Sequence, residues 1–220
     1  MKIVVLDGFT LNPGDISWST LEALGELTVF DRTNYDTKSI IKNIEDASIV
    51  FTNKTPLTKE VLEQVPLVKY IGVLATGYNV VDIVAATKQN ITVTNIPDYS
   101  SGAVAQFTMA LLLELCHHIG AHNASVKNGD WVQSKDFSYW NSPLIELSGK
   151  TIGLIGFGKI GKATAKLATA FGLKVLVYSR TVYTEFISDS LQFVSLDKLL
   201  QESDFVSLHC PLTKETEGII

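Results

Sequence analysis

Two alternations of strand and helix signals predict an α/β protein made of two parallel-sheet units. Residues 1 to about 95 alternate short β-branched runs with helix-like segments, and a second alternation opens at residues 150–161 with KTIGLIGFGKIG. Alternating βα units of this length specify parallel sheets covered by helices on both faces. The chain has 220 residues, 46% hydrophobic and 19% charged, so it can bury a sizeable core. That length accommodates one large domain or two small ones.

In the first alternation the runs at 3–6, 27–30, 48–52, 69–74 and 91–95 read as strands. Helix-like segments fill 17–24, 37–43, 58–64 and 80–88, with Thr58 after Pro56 as a helix start. Ligands of such sheets collect beyond the carboxyl ends of the strands. Two of those ends are unusual: Asn53-Lys54-Thr55 after the third strand and Ala75-Thr76-Gly77-Tyr78-Asn79 after the fourth. Lys54 there is either a cation facing a ligand or a solvated loop lysine. From residue 100 to about 127 one long helix is expected, apolar in its first half and therefore buried between layers. Ser100 or Ser101 would cap it. A linker with turn residues and two tryptophans, 128–148, leads into the second alternation, which has strands at Thr151–Ile155, 173–178, 192–194 and 204–208. The domains are therefore expected at 1–99 and 100–220.

The stretch Gly156-Phe157-Gly158-Lys159-Ile160-Gly161 is a full G-x-G-x-x-G between the strand Thr151–Ile155 and the helical run 162–171. Glycines alone also punctuate ordinary turns. Here a second strand comes at the distance a βαβ unit needs, which favours a dinucleotide fingerprint. The first glycine permits the turn, the second lets backbone approach a pyrophosphate, and the third lets helix and strand pack closely. The phosphates would rest on the free N–H groups at the positive end of the helix.

Other classes of function find little support. A net charge of −5 gives no basic footprint for nucleic acid. The apolar stretch at 107–113 falls well short of the roughly 18 residues of a membrane span, and MKIVVLD is too short for a signal-peptide core. Cys116 and Cys210 lie far apart without metal-type spacing, which suits a reducing cytoplasm. His118 and His122 stand four apart on the expected long helix beside Cys116 and His117, but no third ligand appears with metal spacing, so no metal is expected.

Residues beyond the glycines read the cofactor's ribose. An NAD site places an Asp or Glu about 20 residues on. Here the strand ends in Tyr178-Ser179-Arg180-Thr181, and no acidic residue lies between Gly161 and Glu185. Arg180 could pair with a 2′-phosphate and Ser179 donate to it, so NADP(H) is preferred within an NAD(P) site. The alternative is an Arg180 that stacks on adenine or faces solvent.

The combination of NKTPLT, VLATGYNVVDI, GKTIGLIGFGKIG and LHCPLTKETEGII resembles the D-isomer-specific 2-hydroxyacid dehydrogenases. ATGYNVVD and WVQSKDFSYW are most similar to the glycerate dehydrogenase (hydroxypyruvate reductase) branch. The resemblance implies a flavodoxin-like substrate domain followed by a Rossmann dinucleotide-binding domain, with the active site in a cleft and a homodimer formed around the nucleotide domains. It implies an oxidoreductase interconverting a 2-oxo acid and a D-2-hydroxy acid, hydroxypyruvate and D-glycerate first among them. Phosphoglycerate-type, D-lactate-type and non-catalytic dinucleotide-sensing relatives are the rivals. It places the substrate carboxylate on the backbone of Thr76 and Gly77, with Ala75 where many relatives have glycine. Lys54 could face the same site. The segment His209-Cys210-Pro211 is implied to line the adenine end of the cofactor. The family's catalytic Arg and Glu–His pair fall downstream of Gly218 and the nucleotide fold continues past Leu208, so the chain is expected to be a fragment without its own catalytic residues.

Overall fold

A sheet of five short parallel strands forms the core of the N-terminal unit. The computed structural model describes residues 1–220, which divide into Met1–Tyr99 and Ser100–Ile220. In the first unit β1 (Lys2–Val5), β2 (Glu26–Val29), β3 (Ile49–Thr52), β4 (Tyr70–Val73) and β5 (Thr92–Thr94) are ordered β2-β1-β3-β4-β5. Every pairing is parallel, and this order is the flavodoxin-like one. The central strands bury Val4, Val50, Ile71 and Val73, whereas the edge strand β2 is half-exposed. Its helices are α1 (Gly8–Leu11), α2 (Ser19–Glu22), α3 (Thr37–Ile44), α4 (Lys59–Leu62) and α5 (Ile83–Lys88).

The helix starts are set by local chemistry. Asp36 accepts from the Ser39 amide at 2.9 Å, Thr58 from Val61 at 3.5 Å and Asp82 from Ala85 at 2.9 Å, each filling one of the first turn's empty donors. The helix expected at 17–24 contracts to α2, because the chain must turn at Gly25 to bring β2 alongside β1. A Cβ on Gly25 would stand 2.2 Å from the Met1 carbonyl oxygen.

The second unit comprises α6 (Ser101–His117), α7 (Ile119–Lys127), α8 (Asp130–Gln133), β6 (Thr151–Ile155), α9 (Lys159–Ala170), β7 (Lys174–Tyr178), β8 (Leu191–Phe193), α10 (Leu196–Glu202) and β9 (Phe205–Leu208). Its parallel sheet is ordered β8-β7-β6-β9. The chain moves outward from β6 to β8 and then crosses back to place β9 on the other side of β6. The gap between β6 and β9 is thus a topological switch point, where open α/β sheets bind ligands.

The single long helix expected from residue 100 to 127 is in fact two, bent by 63°. His118 adopts the left-handed conformation (φ 47°, ψ 47°) and ends α6, its amide donating to the Glu114 carbonyl at 2.9 Å. The Glu114 carboxylate then accepts from the Gly120 amide at 3.0 Å, satisfying a donor at the start of α7. His118 is therefore the junction between the two helices while His122 lies within α7, and the His118 carbonyl faces His122 Nδ1 at 2.9 Å. Nor is α6 buried on all sides. Ala105, Met109, Leu112 and Cys116 face the core, while Phe107, Leu111 and Leu115 are exposed. Ser100 stands at the N-cap without a side-chain capping bond. No single helix is long and apolar enough to cross a membrane.

The break at His118 is testable by substitution. Glycine adopts the left-handed region freely, whereas a β-branched side chain there costs about 1–2 kcal/mol. His118→Val should lower the urea midpoint and His118→Gly should leave it unchanged or raise it. Equal losses from both would mean that α6 continues through this position.

Candidate functional site

The Gly-rich turn is built by close approach of backbone to backbone. Gly156 leaves β6 with φ +100°, a conformation L side chains avoid, and a Cβ there would lie 2.7 Å from the Cys210 nitrogen and the His209 carbonyl carbon. Gly161 sits in the first turn of α9, and a Cβ on it would lie 2.4 Å from the Gly156 carbonyl oxygen. Gly158 differs. A Cβ on it would meet nothing within 4 Å, and it occupies the N-cap of α9. Whereas α3, α4, α5 and α10 start with a side-chain oxygen on their first-turn amides, α9 starts with a residue that has no side chain to offer. No N-cap side chain therefore covers the positive end of α9.

Beside this helix end lies a cavity of about 600 Å³, which falls within the range for small-molecule sites. Gly156 and Gly158 form one wall, Ser179, Arg180 and Thr181 at the end of β7 another, and His209, Cys210 and Pro211 after β9 a third. Lys159, Ile160 and Gly161, expected as ligand contacts, do not line the cavity. They form the first turn of α9, which starts three residues earlier than its apolar pattern suggests, and so present backbone amides at the helix start rather than side chains in the cavity. Gly161 is thereby buried against Gly156 and serves packing. Burial holds the His209 imidazole below its ordinary pKa, favouring the neutral ring, and its Nε2 lies 3.0 Å from Ser207 Oγ.

Several cavity residues are not legible in the motif. Phe157 is almost fully buried within a cluster of edge-on aromatic contacts, with Phe193 at 5.2 Å and Phe186 at 5.4 Å between ring centroids. Tyr183 joins it at 6.0 Å, and the Lys162 ammonium sits 3.7 Å from the Tyr183 ring centroid. These contacts anchor the segment that comes after Arg180. From the far side Thr213, Glu215 and Thr216 also reach the cavity.

In the N-terminal unit the two unusual strand ends emerge side by side, since Thr52 of β3 is in register with Val73 of β4. Asp7, almost fully buried at the end of β1, organises the first of them. Its carboxylate accepts from the amides of Asn53 (2.7 Å), Lys54 (3.2 Å) and Thr55 (3.2 Å), from Thr52 Oγ1 (3.0 Å) and from the Thr55 hydroxyl. Burial alone would raise the Asp7 pKa, but the Thr55 hydroxyl and the three amides outweigh it and hold the carboxyl below its usual value. The loop's backbone is thereby fixed while Lys54 itself is exposed. In the second loop the Ala75 carbonyl accepts from the Ile96 amide at 3.1 Å and the Thr76 carbonyl from Asn95 Nδ2 at 2.9 Å. Ala75 is buried, and Thr76 and Gly77 are exposed. A cavity of about 570 Å³ opens between Asn53, Leu74, Ile96 and the segment from Thr10 to Leu21, which carries Trp18. Only the strand ends point to it in the sequence.

A glycine turn meeting an uncapped helix at the switch point of a parallel sheet defines a nucleotide-binding α/β protein. Residues 109–220 match the family described as D-isomer specific 2-hydroxyacid dehydrogenase, NAD binding domain. Over its full length the chain is 53% identical to a hydroxypyruvate reductase of Blautia hydrogenotrophica, covering 69% of that protein. It is 39% identical to a glycerate dehydrogenase of Methylorubrum extorquens over 83% of the chain and 56% of the relative. Among solved structures, an acyclic imino acid reductase in complex with NADPH and D-Arg superposes with a TM-score of 0.78 at 29% identity, covering 98% of this chain and 67% of the other. The chain belongs to the D-isomer-specific 2-hydroxyacid dehydrogenase family of oxidoreductases and spans between about half and two-thirds of these relatives' lengths.

The glycines separate into roles that a pair of variants distinguishes. Gly158→Ala should keep the thermal midpoint and weaken NAD(P)H binding in a fluorescence titration, because its Cβ intrudes only where a phosphate would sit. Gly161→Ala should lower the midpoint by several degrees through the clash with Gly156. The reverse pattern would contradict the assignment.

Asp7 predicts a pH dependence. Its folded pKa is depressed, so it adds stability above the unfolded-state carboxyl pKa of about 3.9 and loses it as pH falls through the lower folded value. Asp7→Asn should therefore be less stable than wild type at pH 7, with the difference shrinking toward pH 3 in urea unfolding. A gap that is constant with pH would refute an ionised Asp7.

Proposed function

We propose that the protein is an NAD(P)H-dependent reductase of hydroxypyruvate, forming D-glycerate, and that it runs the reverse oxidation with NAD(P)⁺. The observation that carries the proposal is the start of α9, without an N-cap side chain, beside a cavity at the switch point of the second sheet. The likeness to the hydroxypyruvate reductase and the glycerate dehydrogenase supports the choice of substrate. The nicotinamide dinucleotide, when bound, supplies the hydride. The α9 N-terminus and Gly158 would hold its pyrophosphate, and Arg180 with Ser179 its adenosine ribose. In this reading NADP(H) is preferred, because Arg180 matches a 2′-phosphate and β7 itself ends in no acidic residue.

The substrate's carboxylate would sit on the Thr76 and Gly77 amides, whose neighbouring carbonyls are already engaged and so do not turn toward the anion. Lys54 adds a positive charge from the adjacent strand end. Asp7 does not compete for the substrate directly; it holds the Lys54 backbone in place. No residue in this chain is assigned the proton transfer to the substrate oxygen.

We further infer a cytoplasmic homodimer. The two cysteines are free, as in a reducing compartment. Phe107, Leu111 and Leu115 recur every four residues on the exposed face of α6, and pairing with a second copy would remove them from water.

The test is a steady-state assay of the full gene product with hydroxypyruvate, pyruvate and phosphohydroxypyruvate. Hydroxypyruvate should give the highest kcat/KM, and Lys54→Ala should raise its KM about tenfold with a smaller change in kcat, as loss of ground-state binding does. Preference for pyruvate or the phosphorylated acid, or a Lys54→Ala enzyme with unchanged KM, would overturn the substrate assignment.

A further inference from the structure

The end of β7 lacks the acidic residue that reads an NAD ribose, yet the cavity does not lack a carboxylate there. Glu215 and Arg180 line the same cavity, and the Glu215 carboxylate lies 3.9 Å from an Arg180 guanidinium nitrogen. The two residues come from opposite walls, Arg180 from the end of β7 and Glu215 from the turn after β9. We infer that Glu215 is a specificity-determining residue for the cofactor: a carboxylate delivered from the turn after β9 that opposes a 2′-phosphate and moderates the preference Arg180 would otherwise impose. This rests on the dinucleotide reading of the cavity.

The position of Glu215 is built by local hydrogen bonds. The Thr216 hydroxyl donates to the Pro211 carbonyl at 2.6 Å and accepts from the Thr213 amide at 2.8 Å. The Thr213 carbonyl accepts from the Thr216 and Glu217 amides at 3.1 and 2.9 Å, and the Thr213 hydroxyl accepts from the Glu215 amide at 3.3 Å. Two threonines thus close a turn whose apex carries Glu215 toward Arg180. The neighbouring Lys214 does not line the cavity.

The energetics set the direction. As an exposed pair Arg180 and Glu215 stabilise one another little, since both side chains are more than three-quarters in solvent. A ligand therefore separates them at small cost. A 2′-phosphate, with nearly two negative charges, gains Arg180 but meets Glu215. A ribose 2′-hydroxyl, by contrast, can donate to that carboxylate. Two groups of opposite charge across one subsite admit both cofactors, with a selectivity set by their balance.

The experiment is a fluorescence titration of the full gene product with NADPH and with NADH, comparing wild type, Glu215→Gln and Arg180→Gln. Glu215→Gln should raise the ratio Kd(NADH)/Kd(NADPH) by roughly tenfold at low salt, and the rise should shrink at high salt as screening takes over. Arg180→Gln should move the ratio the other way. Thr216→Val, which frees the turn, should shift the ratio in the same direction as Glu215→Gln but less far. A Glu215→Gln protein that binds both cofactors with the wild-type ratio would overturn the role of Glu215 and leave the dinucleotide site standing. A wild-type protein that binds neither cofactor would overturn both.

Discussion

Where β6, α9 and the turn after β9 converge, three stretches of backbone approach so closely that no Cβ fits between them. Gly156 touches the His209–Cys210 peptide and Gly161 touches the Gly156 carbonyl. This contact fixes the start of α9 directly beyond the end of β6 and closes the switch point between β6 and β9. The surrounding features depend on it. The cavity has its depth because the turn after β9 lies against Gly156, and α9 points its open end at that cavity because Gly161 lets the helix settle against the strand. Phe157, held between the two glycines, directs its ring into the aromatic cluster that anchors the segment after Arg180.

The N-terminal unit solves a similar problem with a charge. Its strand-end loop at 53–55 has three successive amides pointing inward, and Asp7 fills them with a buried carboxylate. A buried ion is costly unless every acceptor is used, and here amides and hydroxyls together use it. The result is a rigid loop carrying an exposed lysine beside a second loop whose carbonyls are also engaged. One unit starts a helix without an N-cap side chain and the other fixes its loops from within.

Much of this is legible in the sequence, and the parts that are not have physical reasons. The parallel strands of both units are legible as short β-branched runs, and Thr58 after Pro56 as a helix start. The break at His118 escapes a sequence reading because the left-handed residue is a histidine, not a glycine, inside an otherwise continuous helical pattern. The exposed face of α6 escapes because its apolar residues surround the helix, so periodicity does not say which side is covered. The true start of α9 is hidden because glycines and a lysine mask its first turn. At the site, Ser179, Arg180 and His209 are reachable through strand ends. Glu215 is not, since a turn after the fourth strand of the unit brings it to a position that motif spacing assigns to the end of the second. Asp7 reads as an ordinary strand-terminating aspartate, and only the folded chain shows what it holds.

The central claim is that the glycine-lined end of α9 receives a dinucleotide. A crystal structure of the full gene product grown with NADPH tests it most directly. The account predicts pyrophosphate oxygens within hydrogen-bonding distance of the amides at the start of α9, with the adenosine ribose between residues 180 and 215. Cofactor bound elsewhere on the protein, or adenosine lying away from the end of β7, would contradict it.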